Sequence, residues 1–321
     1  MPLLLLLLAW AAGDPVYLVS QKAASSIAYY TPAGQLLATV PTGRHPHEVA
    51  LSPDRRYLYV TDNGTMRIED TGAGGNTLSI IDIAARKRVG EISLGEFRRP
   101  HGIDVDPATG RLVVSTELPD QLLLVDPAAR KVLRRYATGG KTAHMVTLGP
   151  GARFAYVSNS NSGDVSAVNL ATGEVKRIPT GPRPEGSALS RDGREVYVGN
   201  RDGNTVSVID TATNQVTAQI PIGKGSVRMA AAPDGRHIVC GLYHENAVEI
   251  VDVRARKSVA KAPLPHPVVS LTLSRDGSLA FASAEPQDTV FVISIAQRRV
   301  VRTIRTAAGA HPDPVIEVGL Q

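Results

Sequence analysis

Six segments of this chain fall into one register: Pro46-His47-Glu48-Val49, Pro100-His101-Gly102-Ile103, Ala143-His144-Met145-Val146, Pro184-Glu185-Gly186-Ser187, Ser226-Val227-Arg228-Met229 and Val268-Val269-Ser270-Leu271. Their second residues stand at positions 47, 101, 144, 185, 227 and 269, so the steps are 54, 43, 41, 42 and 42 residues. A period of that length is one supersecondary unit stacked on its neighbours, and 321 residues built this way make one repeat domain rather than two unlike ones. Within each period a turn such as Ser52-Pro53-Asp54, Ser190-Arg191-Asp192-Gly193 or Ser274-Arg275-Asp276-Gly277 leads into a β-rich run. A polar loop follows, then a third run closed by Asp82, Asp126, Asp210 or Asp252, then a basic fourth run. Four strands per period predict the blades of a β-propeller.

The two ends of the chain set the number of blades. Val16 to Gly43 reads as three strands lacking a first, and Pro314-Val315-Ile316-Glu317-Val318 reads as a first strand with nothing after it. Together they complete one blade, so six whole repeats and this composite predict an all-β, seven-bladed β-propeller of four-stranded blades. Pairing of the N-terminal strands with the C-terminal strand closes the ring and removes the free edges of an open fan. The composition agrees: aromatic residues are only 4%, while the small and branched aliphatic residues that suit packed sheets are plentiful.

Tyr59-Val60-Thr61-Asp62, Tyr156-Val157-Ser158-Asn159 and Tyr197-Val198-Gly199-Asn200 resemble the YVTN signature of surface-layer and YncE-like propellers. The resemblance covers nearly the whole mature chain. It implies the fold and repeat type and leaves activity open, because similar propellers include ligand binders, haem d1 domains, lactonases and lyases.

Residues 1–13 read as a signal peptide, with an apolar run from Leu3 to Leu8 and a small-x-small Ala9-Trp10-Ala11, leaving 14–321 as the propeller. The expected location is the periplasm or the extracellular space. The apolar run is too short to span a bilayer, so no transmembrane anchor is expected after cleavage. Cys240 is the only cysteine and reads as a buried strand residue, and the missing CxxCH motif excludes covalently attached haem. The net charge is +5. Its cations cluster at Ala85-Arg86-Lys87-Arg88, Arg130-Lys131, Arg134-Arg135 and Arg298-Arg299, on the outermost strands, where Lys and Arg block edge-to-edge pairing. This spread, with few aromatic platforms, argues against nucleic acid as a partner.

The aligned slot points one residue per blade at a single channel mouth. Extending the register to Ala310-His311-Pro312-Asp313, the slot reads Asp313, His47, His101, His144, Glu185, Val227, Val269. His47, His101 and His144 are candidate ligands of Zn²⁺ or a similar divalent metal, with Glu185 and Asp313 as candidate catalytic bases toward a metal-bound water. The alternative is that these polar groups line a wet channel. Arg44, Glu48, Arg183 and Arg228 beside the slots are the candidate ligand contacts, suited to a carboxylate or phosphate against the apolar arc of Val227 and Val269. Asn63 to Asn76 lengthens blade one between its second and third strands, and reads either as a lid over the mouth or as a surface loop.

Three functions follow from these residues. The first is an exported module binding a small ligand, metal or protein partner at the channel mouth. The second is a metal-dependent, lactonase-like hydrolase or lyase. The third is a haem d1-like cofactor domain.

Overall fold

A computed structural model of the chain describes residues 15–319. Those residues form seven four-stranded antiparallel sheets. The composite blade is present as predicted. Its innermost strand, Pro312–Gly319, pairs with Pro15–Gln21 in the register Tyr17↔Glu317, Leu18↔Ile316, Val19↔Val315, and Ser26–Tyr30 and Leu36–Pro41 complete the sheet. The signal-peptide reading of residues 1–13 lies outside the described residues. Among the described residues no helix is long and apolar enough to cross a membrane.

Period-two alternation explains why the inner strands read as continuous apolar runs: both faces of a blade are covered by neighbouring blades. Along Pro15–Gln21, Val16 and Leu18 pack with Leu58 and Val60 of blade one. Tyr17 and Val19 point the other way, onto Phe281 and Val290 of blade six. Each such side chain contributes about 1.5–3 kcal/mol by burial. The outermost strands, such as Lys131–Ala137 and Arg299–Arg305, are largely exposed and carry the cations.

The recurring Asp at the end of the third strand has a local cause. Asp82 accepts a hydrogen bond from the backbone N–H of Ala85, Asp126 from Ala129, Asp210 from Thr213 and Asp252 from Ala255. Each carboxylate thereby builds the turn into the fourth strand. The signature Asn and Asp residues do comparable work at the second strand. Asn159 donates to Asp164 and Ser166, and Asn200 to Thr205 and Ser207. Asp62 accepts from the N–H of Gly43.

The signature hydroxyl ties one blade to the next. Thr61 donates to the carbonyl of His101 at 2.9 Å, Ser115 to that of His144, and Ser283 to that of Asp313 at 2.5 Å. The repeat thus fixes the backbone of three channel residues. Gly102 and Gly186, one residue past their slots, permit close approach of the next inner strand. A Cβ on Gly102 would lie 2.6 Å from both the carbonyl of His144 and the N–H of Val146.

Candidate functional site

His45, Arg99, Thr142, Arg183, Gly225 and His311 stand two residues before their slots, and all have φ between 48° and 81°. This left-handed residue swings the chain into the inner strand, with the following slot side chain facing the axis. The result is a cavity of about 340 Å³ at the channel mouth, lined by all seven slot residues: Asp313, His47, His101, His144, Glu185, Val227 and Val269. Lys22, Arg201, Tyr243 and Glu285 also line it, and Met66 to Glu69 of the blade-one insert close over it.

The three imidazoles meet in a stack. The His47 and His101 rings are 4.7 Å apart edge to face, and His101 and His144 are 3.8 Å apart. His47 donates through Nε2 to the carbonyl of Thr65 at 2.8 Å. His101 donates through Nδ1 to Glu117 at 2.8 Å, which leaves Nε2 to accept from the Arg228 guanidinium at 3.4 Å. His144 Nδ1 is buried with no hydrogen-bond partner. Burial holds His47 and His144 well below the ordinary imidazole value of 6.5. For His47 the nearby Lys22 ammonium adds to the effect, and for His144 the His101 ring does. Both are therefore neutral rings at neutral pH.

Among the described residues no group of three or more His, Cys, Asp or Glu side chains is disposed to hold a metal ion. The trio meets ring against ring, and a guanidinium stands where His101 would present its free nitrogen. Each candidate base is also engaged. Glu185 accepts from Arg183 at 2.8 Å and from Arg201 at 3.1 Å. Asp313 pairs with Lys22 at 2.8 Å, and Glu285 pairs with the same ammonium at 3.1 Å. Burial opposes the charge on Lys22, yet the two carboxylates hold its pKa above the usual lysine value.

Two candidate ligand contacts have other roles. Arg44 is absent from the cavity wall and donates to the carbonyl of Gly64 at 2.6 Å, at the base of the insert. Glu48 is also absent from the wall, because it is buried against Arg228, which donates to it from Nε at 3.0 Å and from an Nη at 2.8 Å. Arg183 and Arg228 do line the cavity.

Sequence reasoning passed over Lys22, Arg99, Glu117, Arg201 and Glu285. Lys22 belongs to a loop of the composite blade, outside the slot register. Arg99 has a readable signal in the register itself, since it occupies the same left-handed position as Arg183. It lies 3.0 Å from Glu117 as an ion contact and donates to the carbonyls of Arg67 and Ile68 at 3.2 Å each, so it pins the insert over the mouth. The tip of the insert therefore lies over the mouth. Tyr243 joins the wall, whereas its neighbours His244 and Glu245 do not.

Comparison with known proteins places this geometry among relatives. Residues 171–305 match the family model of the cytochrome D1 heme domain. The uncharacterized protein YncE of Salmonella typhimurium is 28% identical over 148 residues, which are 45% of this chain; the chain spans only 41% of that relative's length. Protein NirF of Pseudomonas aeruginosa is 32% identical over 115 residues, covering 35% of this chain and 29% of NirF. Among solved structures, dihydro-heme d1 dehydrogenase NirN in complex with DHE superimposes with a TM-score of 0.67 at 17% identity, covering 92% of this chain and 64% of that one. At that identity the likeness is one of fold. The chain is a seven-bladed propeller with YncE-like homologues, similar in sequence to NirF over about a third of its length and to NirN in fold.

Proposed function

We propose that the chain is an exported propeller that binds a small molecule in the channel mouth, beneath the blade-one lid and above the imidazole stack. The observation that supports this reading best is the cavity itself. All seven blades contribute to it, its wall combines an apolar arc at Val227 and Val269 with buried, paired charges, and its volume of about 340 Å³ lies within the range of small-ligand sites. Paired carboxylates and neutral imidazoles suit holding a ligand in a fixed orientation better than activating water.

The family match to the heme domain and the likeness to NirF and NirN favour a second reading, a tetrapyrrole ligand. His47, His101 and His144 would hold it through an imidazole nitrogen, and Lys22, Arg183 and Arg201 would pair with its carboxylates. The fit is incomplete. With Met66 to Glu69 closing the mouth, a cavity of about 340 Å³ is at the small end for ligand sites, so a macrocycle requires the lid to move.

Native mass spectrometry of protein isolated from the periplasm tests both readings. The expected result is a small-molecule adduct that is lost on denaturation and missing from a folded Val269→Phe variant, in which the ring fills the cavity. A visible absorption band in the adduct selects the tetrapyrrole. A parent that carries no adduct, and takes up neither haem nor any compound from a metabolite extract, overturns the channel-mouth reading.

A further inference from the structure

Met66 to Asp70 form a compact turn at the tip of the lid. The Asp70 carboxylate accepts from the N–H groups of Met66 at 2.8 Å and Arg67 at 3.0 Å, and Arg99 holds the carbonyls of Arg67 and Ile68. The backbone is thus secured independently of what the Glu69 side chain does. That side chain reaches over the mouth, from blade one to blade four, and accepts from the Arg183 guanidinium at 2.9 Å. Arg183 in turn donates through Nε to Glu185, which also accepts from Arg201. The Arg201 guanidinium lies 5.0 Å from the centre of the Tyr243 ring, which limits its orientations.

The charges in this cluster divide unequally by burial. Glu185 is buried, at 5% side-chain exposure, and accepts from both arginines. Glu69 is 64% exposed and Arg183 27%. With Glu69 in place, two guanidiniums face two carboxylates and the cluster is neutral. With Glu69 swung into solvent, one positive charge is left at the rim of the cavity, beside the apolar arc of Val227 and Val269 on the next two blades.

We infer that the Arg183 Nη edge, supported by Arg201 and Tyr243, is the subsite for a carboxylate of the ligand, and that Glu69 occupies it as an internal stand-in. This rests on the channel-mouth reading and adds to it the ligand's chemical class, a carboxylic acid. A guanidinium edge can hold a carboxylate or a phosphate with two parallel hydrogen bonds, and the group that occupies this one is the Glu69 carboxylate. An exposed ion pair is weak, so an incoming carboxylate displaces Glu69 at small cost.

Calorimetric titration with citrate and with inorganic phosphate, on the parent, Glu69→Gln, Arg183→Gln and the double variant, tests the subsite. Glu69→Gln is expected to tighten citrate about two- to five-fold, the worth of one exposed pair. Arg183→Gln is expected to weaken it at least ten-fold, with no further effect of Glu69→Gln in that background. Phosphate is expected to bind more weakly than citrate throughout. Citrate binding that is missing from parent and Glu69→Gln alike, or unchanged by Arg183→Gln, overturns the subsite. The channel-mouth reading stands apart from that result: a co-purifying adduct kept by Arg183→Gln and lost from Val269→Phe defeats the subsite alone, whereas an adduct kept by Val269→Phe defeats both.

Discussion

Glu48 and Arg228 are 180 positions apart in the chain and 2.8 Å apart across the channel, a buried ion pair joining blade one to blade five. It spans the ring rather than linking neighbouring blades, and it continues through His101 to Glu117. A charge pair so placed ties together parts of the ring that the stacking of adjacent blades leaves independent.

The single variants Glu48→Gln and Arg228→Met are each expected to cost about 3–5 kcal/mol, because each leaves a buried charge without its partner. The double variant Glu48→Leu with Arg228→Met is expected to recover most of that loss. Urea unfolding of the four proteins measures the coupling; additive single losses would mean that the pair does not hold the ring together.

Acid should weaken the fold through the channel histidines. Burial depresses the folded pKa of His47 and His144 below 6.5, so unfolded chains take up protons that the folded channel refuses. Their contribution is present above 6.5 and is lost as the pH falls. Asp62 and Asp104 work in the opposite direction, since burial raises both to about 6 from 3.8 and their contribution is lost as the pH rises through that window. His144→Gln is therefore expected to reduce the fall in melting temperature between about pH 7 and pH 5, and Asp104→Asn to enlarge it. Parallel melting curves for all three proteins would remove both groups as the cause.

Gly102→Ala is expected to destabilise by about 1–3 kcal/mol, the usual cost of overpacking. The added methyl would meet backbone atoms of His144, Met145 and Val146 rather than a flexible side chain. Chemical denaturation gives the magnitude. Loss of the channel ligand at temperatures where the variant is still folded would show that the same contact sets the His101–His144 spacing.

Truncation after Ala310 removes Pro312–Gly319, the strand that closes the ring on Pro15–Gln21. The edge of Pro15–Gln21 and the apolar surfaces that Val315 and Val318 cover would then be open. The truncated chain is expected to sediment as aggregates. Supplying residues 312–319 as a peptide should restore monomer; a truncated chain that stays monomeric and melts cooperatively would mean that closure is dispensable.

The sequence by itself determined the repeat, the number of blades, the closing strand and the seven slot residues at the mouth. Each of these is a local, periodic property: a slot residue, a turn Asp or a signature hydroxyl recurs because every blade solves the same packing problem, so one register exposes them all. The tertiary structure alone decided which side chains meet. Glu48 with Arg228, Lys22 with Glu285 and Glu69 with Arg183 come from different blades, and Lys22 with Asp313 from the two ends of the chain; all of them break the repeat, so no periodicity marks them. The same holds for the histidines. The register brought them to one place, but whether they face a common point or lie ring against ring depends on side-chain rotation and on the guanidinium beside them, which only the closed ring sets.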